Sequence, residues 1–251
     1  MAQHLVAWYE SVAPGGALTA IAAVPDETVY SVGDDIRVPE GLNNIIGAAA
    51  LINDASADSA QIQSPSLRAM ANIDIEPIVA AAVFGTPPEV LYHPQSPNPV
   101  AVAESLQFYV KSAPAAAVEH YGLVHLADGP VQPVAGNIIT VKATGAANLS
   151  AGQWVNTALT FDQTLPVGTY QVVGMRARGT NLVAARLVFK GGQWRPGVAA
   201  VNAIGDRDLQ SFRYGRCGVL GSFHTNTPPS VDCLGVTDTS QDFLLDLIKT
   251  G

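Results

Sequence analysis

Five histidines, paired carboxylates and a glycine-rich run are the residues in this chain whose types could do chemistry. His4, His93 and His224 are scattered, and only His120 and His125 lie close together. Side chains alternate along a strand, so this odd spacing points the two rings to opposite faces and no shared metal ion is expected. Asp74 and Glu76 stand at i and i+2, on one strand face, where a glycosidase pair or a cation site would place them; two solvated strand carboxylates is the simpler reading. Ser222 precedes His224 in VLGSFHTN, but no GxSxG elbow presents a nucleophile. YGRCGVLG carries Gly215, Gly218 and Gly221 without GxGxxG spacing, so phosphate binding is not expected. Where a duplicated metal-binding β-barrel would carry His-x-His, this chain has Asn43, Asn44 and Ile45, and Tyr170, Gln171 and Val172. The expectation is no enzyme, no cofactor and no metal. Arg207, Arg213 and Arg216, interleaved with Asp206 and Asp208, suit salt bridges within or between subunits. Trp8, Trp154 and Trp194 suit core or interface anchors.

The elements that would position these residues are strands. Short apolar or alternating runs are broken by Pro, Gly, Asn and Asp at intervals of about ten residues, the pattern of an all-β sandwich or barrel. NIITVKAT sets Ile139 and Val141 against Thr140 and Lys142. NLVAARLVFK sets Val183, Ala185, Leu187 and Phe189 against Arg186 and Lys190, as a half-buried strand would. QIQSPSL, NIDIEPI and GLVHLAD read as further strands, while residues 101–112 and 240–250 suit either a short helix or a strand.

Composition limits the partners. Of 251 residues 14% are charged, against roughly 25% in ordinary soluble domains, and mean hydropathy is +0.21. Spread over the ~10,000 Å² that a monomer of this mass exposes, so few charges imply a surface partly covered by neighbouring subunits. The net charge of −8 and pI near 4.9 argue against direct tight nucleic-acid binding, which wants a basic patch. MAQHLVAWYE lacks the basic and apolar regions of a secretory signal, and no run approaches the ~18 apolar residues of a membrane span. Cys217 and Cys233 are expected to be reduced, buried thiols.

One turn is written twice. VPEGLNNIIG (38–47) and LPVGTYQVVG (165–174) align Pro39 with Pro166, Gly41 with Gly168 and Gly47 with Gly174, at an offset of 127 residues from Pro39 to Pro166. Pro pre-sets a turn, Gly frees it, and the β-branched pair suits the strand that follows. Four weaker echoes run in the same order: LVAW (5–8) with LVHL (123–126), GGALTAIAA (15–23) with AGNIITVKA (135–143), TPPEV (86–90) with TPPSV (227–231), and the ends VKS (110–112) and IKT (248–250). They imply tandem duplication, with a first unit over 1–113, a linker at 114–117 within SAPAAA, and a second unit over 118–251. Counted from Arg68 to Thr86 and from Arg195 to Thr227, the second unit carries surplus residues. These are expected as a loop within 196–226 that bears Arg207, Arg213 and Arg216 and contacts a neighbouring subunit.

On the paired PEG/PVG turns, the paired TPP segments and the VKS/IKT ends, the chain resembles the double jelly-roll major capsid proteins of tailless icosahedral viruses, the adenovirus and membrane-containing bacteriophage group. The resemblance implies two tandem jelly-roll β-sandwiches in a coat protein, here of a bacterial or archaeal virus. It implies three copies in a pseudo-hexameric tile of an icosahedral shell, contacts with other capsid proteins, and a virion location after synthesis in the host cytoplasm. A membrane beneath the shell would be met without a transmembrane segment. The other readings left open are a two-domain carbohydrate-binding or virion attachment module and a two-jelly-roll hydrolase using Asp74 and Glu76.

Overall fold

The computed structural model of the chain describes residues 2–68, 71–79, 91–201 and 212–251. The described residues are mostly strand and loop, 48% in strands against 2% in helix. The first twelve are β1 (Gln3–Val12), β2 (Thr19–Ala20), β3 (Ser31–Val32), β4 (Asp35–Arg37), β5 (Asn44–Ile52), β6 (Ser59–Gln63), β7 (Ile73–Ile75), β8 (Ile78–Val79), β9 (Leu91–Tyr92), β10 (Asn98–Pro99), β11 (Ser105–Lys111) and β12 (Val118–Ala127). The rest are β13 (Ile138–Gly145), β14 (Val155–Ala158), β15 (Thr160–Phe161), β16 (Thr169–Arg178), β17 (Leu182–Val188), β18 (Gly197–Ala199), β19 (Gly221–His224), β20 (Ser230–Gly235) and β21 (Gln241–Lys249). The segments 101–112 and 240–250 are thus strands. QIQSPSL ends its strand at Gln63, where Ser64 accepts the Leu67 N–H (3.3 Å) and Pro65 opens the one-turn helix α1 (Pro65–Arg68), the usual order of cap and first helical residue.

Four sheets form. Sheet I runs β1-β12-β5-β10, with β8 and β9 also on β5; sheet II runs β3-β4-β11-β6-β7, with β2 on β11. Sheet III runs β15-β13-β21-β16-β19 and sheet IV β14-β20-β17-β18. Among the described residues every pairing between named strands is antiparallel except β5 with β8. Sheets I and II close one β-sandwich over Val6, Trp8, Ile52, Ile62, Phe108 and Leu126. Gly122 admits the Phe108 ring, whose atoms lie 2.5 Å from where a Cβ would be. Sheets III and IV close a second over Val141, Tyr170, Leu187, Val231, Phe243 and Leu245. A third apolar layer joins the sandwiches: Leu5, Ala7, Ala49, Leu51, Tyr121 and Leu123 of sheet I meet Val183, Ala184, Ala199 and Leu234 of sheet IV. The sheets therefore stack in the order II, I, IV, III. Sheet I is covered on both faces, which is why NIIGAAALI and YGLVHLA read as continuous apolar runs rather than alternating ones. The same cover corrects β17: Arg186 is fully buried rather than solvent-facing.

Each doubled turn leads into a long strand with a β-bulge at the matching residue. In β5, Gly47 faces His125 and Ile45 faces Leu126, so Ile46 is the extra residue. In β16, Gly174 faces Asp246 and Val172 faces Leu247, so Val173 is the extra residue. The carbonyl of each bulge residue is satisfied from outside the ladder, Ile46 by the His93 N–H and Val173 by the Gly215 N–H, both at 2.7 Å.

The boundary at 114–117 does not separate the sheets. β12, placed in the second unit by sequence, lies between β1 and β5 of sheet I, and residues 112–117 are the crossing from sheet II to sheet I within one sandwich. Sheet membership changes between Ala127 and Ile138. LVAW and LVHL are therefore not equivalent strands but antiparallel neighbours, with Val6 opposite Val124. The matching ends fall on β11, between β4 and β6, and on β21, between β13 and β16; GGALTAIAA meets the two-residue β2 and AGNIITVKA the eight-residue β13. TPPEV lies outside the described residues. The surplus expected within 196–226 also disappears once strands are matched by their neighbours, since similar lengths of chain run from Ile75 to Asn98 and from Ala199 to Gly221.

Candidate functional site

The densest polar cluster lies in the seam between the sandwiches, and β17 carries its centre. Arg186 Nε donates to Asp232 Oδ2 of β20 at 2.9 Å, and its Nη1 donates to the Leu5 carbonyl of β1 at 3.1 Å and to Asp26 Oδ2. Its guanidinium carbon sits 4.2 Å from the centre of the Trp154 ring. Arg195 extends the network, donating to Asp232 Oδ2 (2.8 Å) and Glu27 Oε2 (2.7 Å). Two guanidinium groups thus share carboxylates contributed by both sandwiches.

His4 completes the seam. Its Nδ1 accepts the Arg195 backbone N–H at 2.9 Å, which leaves the ring proton on Nε2, 3.1 Å from Asp26 Oδ2. Burial holds the His4 pKa below its ordinary value, and the neighbouring Arg186 and Arg195 charges push the same way against the opposing pull of Asp26. Burial opposes ionisation of Asp26, yet the bonds from His4 and Arg186 prevail and hold its carboxyl well below the usual range. The seam opens into a cleft of about 730 Å³ whose lining includes Trp154, Asn156, Arg195 and Asp232. Its cations are matched to Asp26, Asp232 and Glu27, so the arrangement clamps two sandwiches together.

A second buried ion pair lies on the side of sheet III away from its sandwich core. Arg213 donates from Nε to Asp246 Oδ2 (2.7 Å) and from Nη2 to Oδ1 (3.0 Å), and Asp246 also accepts the Tyr214 N–H (2.8 Å) and the Thr140 hydroxyl (2.7 Å). Gly174 makes room: a Cβ there would stand 2.3 Å from Asp246 Oδ2 and 3.0 Å from the Arg213 Cα. Gly174→Ala should therefore destabilise the chain by about 2–3 kcal/mol in denaturant unfolding, the range of an overpacked core; a change below about 0.5 kcal/mol would mean that the glycine is dispensable. Gly215, in the left-handed region at φ 76°, brings the loop against Val173 and accepts the Val134 N–H at 2.8 Å; Gly218 is likewise a turn residue at φ 70°, while Gly221 opens β19.

The remaining residues singled out by sequence stay apart. His120 is buried, its Nε2 2.8 Å from the Ser112 hydroxyl and its Nδ1 2.8 Å from the Val118 carbonyl. His125 packs against Phe212 with ring centres 5.0 Å apart, and burial pushes its pKa down to about 3. Asp74, exposed on β7, accepts from Gln61 Nε2 (2.8 Å), and Glu76 is exposed beyond the strand end. His224 Nδ1 accepts the Asn226 N–H (3.2 Å), and Ser222 is exposed on the same short strand. Arg213 is spent within its own chain rather than offered to a neighbour, Arg216 is exposed, and Arg207, Asp206 and Asp208 lie outside the described residues. Trp8 is core, Trp154 belongs to the seam, and Trp194 packs edge-on to His4 at 5.9 Å. Cys217 and Cys233 are free and buried. Among the described residues no cluster of three or more His, Cys, Asp or Glu could hold a metal ion, and no helix is long and apolar enough to cross a membrane.

Sequence reasoning missed Arg186, Asp232 and the Asp26–His4 pair. One signal was present: an arginine in the middle of the apolar run LVAARLVF has no solvated face to occupy if both sides of its strand are covered. Comparison with known proteins gives no family model that matches the chain, no matching curated protein and no matching solved structure.

Proposed function

We propose that the chain is a coat protein: two jelly rolls made by tandem duplication, associating as trimers that tile an icosahedral shell. The observation that carries this reading is the strand order. With β1, β4, β5, β6, β7, β10, β11 and β12 counted as one set of eight, sheet I reads first-eighth-third-sixth and sheet II second-seventh-fourth-fifth. With β13, β14, β16, β17, β18, β19, β20 and β21 as the other, sheets III and IV repeat both orders. This is the alternation that two Greek keys give when rolled up. The bulges at Ile46 and Val173 support the same pairing of strands, because bulges are inherited features of a fold rather than accidents of composition. On this reading the first roll ends at Ala127 and the second begins at Ile138.

A doubled roll suits a shell because a closed trimer presents six sandwiches while the two halves diverge to make different contacts. Low charge and a rigid four-layer stack serve that role, and the seam fixes one half against the other. Concentrated protein viewed by electron microscopy should form shells or hexagonally ordered sheets; dispersed single particles at every concentration would count against the coat reading. The acidic balance further predicts no tight, salt-sensitive binding to DNA or RNA, and a steep loss of nanomolar affinity with added salt would refute that.

A further inference from the structure

The seam between the sandwiches is matched in charge but not in hydrogen bonds. Its cleft of about 730 Å³ has the size of a small-molecule site and lies at a junction between folded units, where such sites collect. One wall is the Pro25–Glu27 stretch of the first sandwich. The other is built on β14, β17 and β20 of the second, which bring Asn156, Arg186, Val188, Ser230 and Asp232 to the lining. The side chains of Arg186 and Asp26 are 1% exposed and that of Asp232 is 4% exposed, so ion pairs hold the inner groups in place before any ligand arrives.

Two donors of the lining lack acceptors. Arg186 uses Nε and Nη1 on Asp232, Asp26 and the Leu5 carbonyl, and among the described residues its Nη2 has no acceptor. The indole N–H of Trp154 is buried and has none either. Buried donors without acceptors are rare in folded chains, and two beside one cleft mark where a ligand's oxygens belong. Acceptors stand on the rim. Asn156 donates its amide to Ser230 Oγ (3.0 Å) and Asp232 Oδ1 (2.8 Å), which leaves its own carbonyl oxygen available, and the Glu27 carboxylate is 84% exposed.

Charge selects the ligand. The charged lining residues are Asp26, Glu27 and Asp232 against Arg186 and Arg195, an excess of one carboxylate, which disfavours an anion such as phosphate. Every one of those carboxylates already holds a guanidinium, which disfavours a bare cation. A neutral molecule rich in hydroxyl groups fits, because each hydroxyl both accepts and donates. Val188 and the Trp154 ring supply the apolar lining for its C–H faces. We infer that the seam cleft binds a short neutral saccharide, whose oxygens accept from Arg186 Nη2 and Trp154 Nε1 and whose hydroxyls donate to Glu27 and the Asn156 carbonyl. The site lies within one chain and does not depend on the coat reading.

The test is isothermal titration calorimetry of the full-length chain with neutral trisaccharides of glucose, mannose, galactose and N-acetylglucosamine, and with inorganic phosphate as the anionic probe. At least one trisaccharide should bind with a Kd of about 1 mM or tighter. Its affinity should be unchanged between about 0.05 and 0.5 M NaCl, as for an uncharged ligand. Trp154→Phe keeps a ring but loses the N–H and should weaken binding about threefold to tenfold, and Asn156→Ala should weaken it by a similar factor. Melting without sugar establishes that each variant is folded, and Asn156→Ala, on the exposed rim, keeps the test open should Trp154→Phe unfold. No binding of any trisaccharide at about 10 mM, binding that the folded variants leave unchanged, or phosphate binding more tightly than every sugar would overturn the site.

Discussion

Replacing Arg186 with methionine should lower the melting temperature by about 10 °C or more. Methionine keeps most of the side chain's volume but strips Asp26 and Asp232 of a shared cation in a seam where Arg186 and Asp26 side chains are 1% exposed. Removing one partner of a buried ion network costs about 3–5 kcal/mol, because the remaining charges lose most of their compensation; here Asp26 keeps only His4, Thr28 and local N–H donors, and Asp232 keeps Arg195 and Asn156. In a chain of this size each kcal/mol shifts melting by roughly 2–4 °C. The loss comes from the stranded carboxylates rather than from lost packing, so adding Asp26→Asn to Arg186→Met should recover part of it. Calorimetry on the three proteins decides the point. A shift below about 2 °C for the single variant would show that the seam does not hold the sandwiches together.

Acid should weaken the fold in two stages. His4, His120 and His125 all have pKa values lowered by burial, so in the folded chain they resist protonation while the unfolded chain takes up protons near pH 6.5. The unfolded state therefore binds more protons as pH falls below about 6.5, and stability falls with it. Each histidine contributes up to about 1.4 kcal/mol per pH unit, and for His125 the decline continues towards its folded value of about 3. The carboxyls of Asp26 and Asp246 are lowered in the folded chain. Their contribution is complete above about pH 4 and is lost only as pH drops further, through their folded values. The melting temperature should be level from pH 7 to 8.5 and then fall by at least about 3 °C between pH 6.5 and 5, with His125→Phe removing about that much of the fall. A melting temperature unchanged down to pH 5 would contradict the assignment of three buried neutral histidines.

The all-β character was legible because breakers and alternation act locally: Pro166 and Gly168 mark the entry to β16 whatever surrounds it. The placement of β12 was not, since an apolar strand of GLVHLAD type fits the middle of either sandwich and only long-range pairing with β1 and β5 decides. Apolar echoes misled for the same reason. Leu5–Trp8 and Leu123–Leu126 look alike because both are covered on two faces in one sheet, not because they occupy equivalent places. The PEG and PVG turns carry a second, local feature in common: each leads into a strand bulged at the corresponding step, Ile46 in β5 and Val173 in β16. The seam was invisible for a further reason: Asp26, Arg186 and Asp232 are far apart in the chain, and ion pairs between loops and strands leave no periodic trace.

The claim that two matched rolls form a shell-building unit is tested most directly by the native mass of the purified full-length chain, measured by sedimentation equilibrium at micromolar concentration and neutral pH. One chain weighs 26.1 kDa. The account predicts a species of three chains or a larger closed multiple of three, with higher assemblies growing as concentration rises. A single monodisperse species at the mass of one chain, unchanged on concentration, would contradict it.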